Sequence, residues 1–273
     1  MKQLECLFTQ SDCYRTGQTI VPKGVMIHST GANNPTLRRY VQPTAETSDR
    51  EVLLTQLGDN LNGNHWNRPG INACVHGFIG KLADGTVAAV QTLPWDLRGW
   101  HAGTGTSGAS ANNTHISFEI CEDGLEDKTY FETVYQAAAE LTAMLCKAYV
   151  LDPLEEGVVI SHSEGYRRGV ASAHADVEHW FSRFGRSMDE FRRHVAEEME
   201  DDMTQERFNE MMENYLAQLA AQQPSDWSAE ERGWAENAGL IRGDENGDKK
   251  YKSFCTREQL MTFLYRFSQL LNN

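Results

Sequence analysis

The sequence predicts an α/β protein with a central mixed β-sheet flanked by helices, followed by a small all-α module. Three observations support this fold class. Short β-branched runs recur through the first 195 residues, a long amphipathic segment lies among them, and the composition changes after residue 195. Strands that alternate with helices are typical of a sheet with helices packed on its faces.

Five short apolar runs are the predicted strands of this sheet. They are residues 25–28, 74–80, 87–92, 116–121 and 158–162. Asp84 and Gly85 lie between the second and third runs, and this dipeptide favours a tight hairpin turn. We therefore expect an antiparallel pair within a mixed sheet.

Residues 127–151 form the strongest predicted helix. Apolar side chains recur there on one face at helical spacing. They are Phe131, Val134, Tyr135, Ala138, Leu141, Leu145 and Tyr149. Asp152 and Pro153 follow, and proline cannot continue a helix. The stripe predicts a helix that packs against the sheet.

Length and charge limit the classes of protein that fit. The chain has 273 residues, 40% of them hydrophobic, so it can bury a core in one large domain or two. Its formal net charge of −14 argues against a nucleic-acid partner, which would need a basic face. Acidity of this kind is typical of a soluble protein.

The cysteines and apolar runs bear on the cellular compartment. Six cysteines are spread along the chain with no CxxC pair, which is typical of isolated thiols in a reducing cytosol. Residues 1–6 contain no apolar run of the kind found in a secretory signal. No run is long and apolar enough to predict a membrane span.

The candidate chemistry lies at the ends of two predicted strands. His28 ends the first run, His162 ends the last, and Asp176 follows on a predicted loop. Two histidines, one carboxylate and an open fourth position are the pattern of a catalytic zinc site. His174 is a competing third ligand, because residues two apart in an extended chain point the same way.

Four segments in a fixed order resemble the zinc N-acetylmuramoyl-L-alanine amidases of the amidase-2 family. That family includes phage endolysins, bacterial autolysins and the animal peptidoglycan recognition proteins. The segments are Ile27-His28-Ser29-Thr30, Arg98-Gly99-Trp100-His101-Ala102-Gly103, His115-Ile116-Ser117-Phe118-Glu119-Ile120, and His162 with His174-Ala175-Asp176. Each motif alone has low specificity, and their order over residues 20 to 195 carries the resemblance.

The resemblance implies a role for each candidate residue. His28, His162 and Asp176 match the zinc ligands, and Glu119 matches the catalytic glutamate. The family has lysine two residues before its last ligand, as a cationic oxyanion stabiliser. His174 takes that place here, so a weaker and pH-dependent charge replaces the lysine.

Three further residues match positions that line the substrate groove in the family. They are His76, Trp100 and His101. The resemblance implies zinc-dependent cleavage of the amide bond between N-acetylmuramoyl and L-alanine in peptidoglycan. Two alternatives remain: a non-catalytic peptidoglycan-binding module, and a cytosolic amidase that acts on free muropeptides. We expect a chain held in the cytoplasm before release that then acts on the cell wall.

The C-terminal part predicts a separate module. We expect a catalytic domain at 1–195, a helical linker at 196–224 and a helical module at 225–273. The linker opens with acidic residues at 197–202 and continues as an amphipathic helix at 204–222, which allows self-association into homo-oligomers. Residues 234–243 and 256–259 resemble one S-layer-homology repeat, which implies binding to a secondary wall polymer. A helical appendage that packs or dimerises is the alternative.

Overall fold

The computed structural model describes residues 1–200, 205–244 and 246–271, with backbone only for 205–207. Contacts divide the chain into two units, Met1–Asp201 and Asp202–Asn273. The last two residues of the acidic run at 197–202, and the start of the predicted linker helix at 204, lie outside the described residues. Among the described residues, no helix is both long and apolar enough to cross a membrane.

The first unit is built on a six-stranded sheet, which confirms the predicted fold class. Its strands are β1 (Lys2–Glu5), β2 (Gly24–Ser29), β3 (Gly77–Lys81), β4 (Val87–Gln91), β5 (His115–Ile120) and β6 (Val159–Ser161). Their order across the sheet is β1-β4-β3-β5-β2-β6. Only the β3–β4 pair is antiparallel, and Asp84 and Gly85 lie in the turn between them, as predicted.

The helices of the first unit flank this sheet. They are α1 (Asp12–Arg15), α2 (Arg50–Leu57), α3 (Lys128–Tyr149), α4 (His162–Arg167), α5 (Glu178–Phe181) and α6 (Met188–Glu200). Helix α3 is the predicted long helix, capped at its start by the Asp127 side chain, which accepts a hydrogen bond from the Tyr130 amide. Its apolar stripe is buried on one face of the sheet, with Tyr149 half-buried at the end.

Two large apolar clusters hold the sheet from its two sides. One contains α3, α5 and α6 side chains, such as Phe131, Trp180 and Phe191. The other contains Phe8 and Phe78. Burial of each such side chain contributes about 1.5–3 kcal/mol, so the strands between the clusters are firmly held.

Strand β6 is shorter than predicted and ends before His162. The Ser161 side chain accepts a hydrogen bond from the Glu164 amide, and the Glu164 side chain accepts one from the Ser161 amide. This reciprocal capping box starts helix α4 at His162. The predicted strand at 158–162 therefore loses its last residue to a helix, and His162 has a defined backbone position.

The second unit is helical in its described part. Its helices are α7 (Gln205–Ala220), α8 (Ala229–Asn237) and α9 (Arg257–Leu271). Thr256 and Gln259 form a capping box at the start of α9. Ser228 precedes α8, but its side chain makes no capping hydrogen bond there.

Candidate metal centre and active site

The pairing of β2 with β6 brings two histidines to one edge of the sheet. Both strands run in the same direction, with Val25 opposite Val159 and Ile27 opposite Ser161. His28 follows Ile27, and His162 follows Ser161. The carboxyl ends of parallel neighbours meet at the same edge. The two imidazoles therefore face each other with their rings nearly perpendicular, at a centroid distance of 4.8 Å.

Asp176 completes a three-atom cluster with these histidines. The His28 Nδ1 and His162 Nδ1 atoms lie 3.0 Å apart. The Asp176 Oδ2 atom lies 3.1 Å from the His28 Nδ1 atom and 3.7 Å from the His162 Nδ1 atom. Tetrahedral zinc, with bonds of about 2.0–2.2 Å, spaces its ligand atoms roughly 3.3–3.6 Å apart. The donor set and its spacing therefore fit a zinc ion.

The protonation states in this cluster also suit a metal. Burial, together with neighbouring His28, lowers the pKa of His162 to about 4. Burial opposes the ionised form of Asp176, but the hydrogen bond and charge of His28, with the charge of His162, lower its pKa overall. A neutral imidazole and an ionised carboxylate are the forms that bind a metal ion.

Glu119 lies beside His28 on the neighbouring strand. The two residues are direct partners in the parallel β2–β5 ladder, and both side chains line the same cavity. The Glu119 Oε2 atom is buried and has no hydrogen-bond partner. Burial raises the pKa of this carboxyl well above its usual range, and the nearby Asp176 and Glu122 raise it further. Such a carboxylate takes up a proton more readily than an exposed one.

His174 sits at the mouth of the site rather than among the three clustered atoms. Its ring stacks on that of His162 at a centroid distance of 4.5 Å. Its Nδ1 atom is 3.7 Å from Oδ1 of Asp176, whereas His28 and His162 contact Oδ2 of the same carboxylate. The side chain is 60% exposed, so it is free to meet a bound molecule.

The cluster opens into a cavity of about 470 Å³. Trp100 and His101 line it, together with Trp66. His101 is held by two contacts, with its Nδ1 atom 3.0 Å from Nε2 of His28 and its Nε2 atom 3.2 Å from the His115 carbonyl oxygen. The cavity therefore combines an aromatic wall with the candidate ligands at its floor.

His76 does not lie where it was predicted. The side chain is fully buried and is not among the residues that line the cavity. Its Nε2 atom donates to the Leu97 carbonyl oxygen at 2.7 Å, and its Nδ1 atom accepts from the Ser117 amide at 3.0 Å. His76 precedes β3, and this packing against Ser117 of β5 turns its ring into the interior.

Three residues beside the cluster escaped the sequence analysis as a group. The Ser29 hydroxyl donates to Glu122 Oε1 at 2.5 Å, and the His179 Nε2 atom lies 3.0 Å from the same oxygen. Ser29 and His179 line the cavity, and Glu122 is buried behind them. The position of Ser29, directly after the candidate ligand His28, is the one sequence feature that could have indicated this group. Glu122 and His179 are too far from Ser29 in the sequence for any motif to connect them with it.

Fold and site together define an α/β protein with a three-ligand candidate metal centre in an open cavity. The model of the Amidase_2 family, described as N-acetylmuramoyl-L-alanine amidase, matches residues 17–178. The chain therefore belongs to this family. The match includes every residue of the cluster and Glu119.

Solved structures also resemble the chain at low identity. Staphylococcus aureus hydrolase AmiA is 21% identical over 72% of this chain and 82% of its own, with a TM-score of 0.45. A mutant endolysin from Bacillus subtilis is 19% identical over 71% of this chain and 99% of its own, with a TM-score of 0.45. The PlyG catalytic domain is 16% identical over 75% of this chain and 99% of its own, with a TM-score of 0.47. No curated protein sequence matches the chain.

The buried state of His76 predicts a specific acid sensitivity. Burial lowers the pKa of His76 to about 4. The unfolded chain, with an ordinary histidine pKa of about 6.5, takes up this proton first, so stability is lost as pH falls from about 6.5 towards 4. In chelator-treated protein, the unfolding free energy of the parent should fall more steeply than that of His76→Gln. The difference in slope should be about 1 kcal/mol per pH unit.

Urea unfolding at pH steps from 7 to 4.5 measures these slopes. The comparison uses the slope rather than the absolute stability, because the substitution itself changes the packing. Parallel slopes for the two proteins would show that His76 does not resist protonation in the folded state.

Proposed function

We propose that this protein is a zinc-dependent amidase that hydrolyses the bond between N-acetylmuramoyl and L-alanine in peptidoglycan. One observation carries the proposal: three metal-ligating atoms and a buried, unpartnered Glu119 meet in one open cavity of a chain from this family. The following roles rest on the geometry of that cavity.

His28, His162 and Asp176 would hold the zinc ion. Two imidazole nitrogens and one carboxylate oxygen leave a position for a fourth ligand, as catalytic sites require. A zinc ion there would act as a Lewis acid that polarises the scissile carbonyl. The protein supplies the fixed positions, since His28 and His162 are almost fully buried.

Glu119 is the proposed proton carrier. Its carboxylate would accept a proton from the attacking water and deliver it to the leaving amine of L-alanine. The raised pKa suits the first step, because it makes the carboxylate a better proton acceptor. Its lack of another partner leaves the Oε2 atom available for this role.

His174 is the proposed oxyanion stabiliser. It is the exposed histidine at the mouth of the cavity, and a protonated ring there can donate a hydrogen bond to the developing oxyanion. Its stacking on the His162 ring fixes its direction.

The substrate would enter along the aromatic wall. Trp100 and Trp66 present flat apolar surface to the cavity, which suits stacking with a sugar ring or an apolar part of the stem peptide. A non-catalytic peptidoglycan-binding module would not need a buried glutamate beside a ligand cluster. The presence of Glu119 there therefore favours a catalytic role over a binding role. Mass spectrometry of the products from purified peptidoglycan, with and without chelator, tests this function directly.

The C-terminal unit would localise the enzyme on the wall. It contains a pocket of about 490 Å³ lined by Trp227 and Trp234, whose side chains are 84% and 57% exposed. Arg232 and Lys252 line the same pocket. Exposed tryptophans beside cations favour a polymer ligand, and this favours whole walls over free muropeptides as substrate. Exposed apolar residues on α7, such as Met211 and Tyr215, leave self-association as a further proposal.

Metal analysis tests the ligand assignment. We expect one zinc per chain in the purified parent and in His174→Ala. His28→Ala and Asp176→Ala should lose it, because each removes one of three ligands. His194→Ala, which changes a histidine outside the cavity, is the control. Loss of zinc from His174→Ala, with zinc retained in Asp176→Ala, would exchange the roles of these two residues.

Turnover of Glu119→Gln tests the proton carrier. The variant should fold and bind zinc, and should lose about 10²–10⁴ in rate, the usual cost of removing a general base. Glu5→Gln, which alters an exposed glutamate on β1 of the same sheet, is the matched control and should keep the parent rate. A Glu119→Gln protein that digests walls at nearly the parent rate would leave Glu119 as a structural residue.

Sedimentation with purified walls tests the C-terminal pocket. Replacing both Trp227 and Trp234 by alanine in the full chain should weaken wall binding more than tenfold, because buried tryptophan contacts commonly contribute about 2 kcal/mol or more. Cleavage of soluble muropeptide should stay at the parent rate. Phe254→Ala, an exposed aromatic of the same unit outside the pocket, is the control. Unchanged binding would make this unit a packing or oligomerisation element.

A further inference from the structure

The second unit buries very few of its apolar side chains. Among the side chains that the structure describes in this unit, Leu240 is the one that is buried, with 8% of its surface exposed. A folded domain normally has a hydrophobic core of its own. The helices of this unit therefore gain little stability from packing within one chain, and their apolar surface is left for a partner to cover.

Helix α9 carries its apolar side chains at the spacing of a helix–helix contact. Leu260, Leu264, Phe267 and Leu271 follow one another at intervals of four, three and four residues, and all of them are exposed. Side chains at this spacing lie along one face of a helix and are typical of a helix that pairs with another helix. We call this row the α9 seam.

Helix α7 repeats the same spacing. Phe208, Met212 and Tyr215 are exposed, and Leu219, at the next step along the row, is half-buried. We call this row the α7 seam. Two helices of one small unit thus present matching apolar rows to solvent.

The exposed apolar area is large enough for a stable interface. The exposed large apolar side chains of α7 and α9 keep between 38% and 72% of their surface accessible. Together they present roughly 1,000 Å² of apolar surface, since a side chain of this size has about 150–250 Å² in all. Each partner in a standard protein–protein interface buries about 800 Å². The two helices therefore carry as much apolar surface as one side of such an interface.

The chemistry of the two seams favours a second copy of this chain as the partner. A polymer rich in hydroxyl groups would have its own polar groups left unpaired against leucine and phenylalanine side chains. An anionic lipid surface favours cationic side chains beside the apolar ones, whereas the described side chains of α7 include Glu210 and Glu213 and no lysine or arginine. A second copy offers helices with the same spacing, so the rows can interlock.

We infer that the α7 seam and the α9 seam form the interface through which copies of this chain associate. This assigns self-association to defined side chains on two helices. Both seams lie in the second unit, so the inference depends neither on the metal centre nor on the proposed activity.

The molar mass in solution tests the inference on the full chain. Interfaces of this size have Kd values from about micromolar to picomolar, so light scattering at about 20 µM should give at least twice the single-chain mass of 30.8 kDa. Leu264→Glu combined with Phe267→Glu should give the single-chain mass at the same concentration. Phe208→Glu combined with Met212→Glu should do the same, because association would bury unpaired carboxylates in either case.

Matched variants separate the seams from other effects of substitution. Gln269→Glu adds a negative charge to an exposed position of α9 outside the seam, and Leu61→Glu replaces an exposed leucine of the first unit. Both should keep the mass of the parent. Leu264→Met combined with Phe267→Leu retains an apolar seam and should also keep it. This last variant distinguishes the loss of the seam from the effect of changing these two positions.

A second measurement needs no substitution. Cys255 is the exposed one of the six cysteines and lies two residues before α9. This helix has 15 residues and is therefore about 22 Å long, so spin labels on Cys255 of two paired copies lie within reach of pulsed dipolar spectroscopy. A dipolar coupling between copies should appear in the labelled parent and disappear in both pairs of glutamate substitutions.

Three results would overturn the inference: a single-chain mass for the parent, a parent-like mass in either pair of glutamate substitutions, or no coupling between labelled copies. A parent of single-chain mass that binds phosphatidylglycerol vesicles would assign the seams to a lipid surface instead. Zinc content and cleavage of soluble muropeptide are measured separately, so failure of this inference and failure of the proposed function are distinguishable.

Discussion

The parallel pairing of β2 with β5 and β6 is the constraint on which the site depends. It places His28, Glu119 and His162 at neighbouring positions on one edge, although they are far apart in the sequence. Apolar clusters on the two faces hold these strands. A shift of one residue in either register would turn a functional side chain to the opposite face. The sheet therefore sets the geometry, and the loop that carries Asp176 completes it.

The cluster itself opposes stability in the metal-free protein. The Nδ1 atoms of His28 and His162 lie 3.0 Å apart with a carboxylate beside them, and the Glu119 Oε2 atom is buried without a hydrogen-bond partner. Buried polar groups that lack partners are destabilising. The capping box at Ser161, the contact of His101 with His28, and the Asn112 oxygen that accepts from the His101 amide hold the surrounding residues in place. A cation bound there would satisfy these polar atoms, and its binding would then stabilise the folded chain.

The sequence predicts most of the sheet because its inner strands are β-branched and buried. It misses β1, whose four residues, Lys2–Glu5, are mostly polar and pair only at the edge. The ligand cluster and Glu119 are accessible to sequence reasoning because each lies at a strand end or in a short motif. His76 is misplaced because a motif does not state which way a ring turns, and Asn112 looks like an ordinary turn residue until its two amide partners are seen.

Two further histidines lie close to Asp176 in the sequence. His174 lies two residues before the aspartate, and His179, three residues after it, contacts the buried Glu122, whose charge raises the pKa of Glu119. Both side chains line the cavity as imidazoles, which can donate and accept hydrogen bonds, rather than as ammonium groups, which can only donate. His28 and His162 are almost fully buried, whereas the His174 side chain is 60% exposed. The sheet therefore fixes the two buried histidines of the cluster, and the exposed histidine is the one placed to meet a bound molecule.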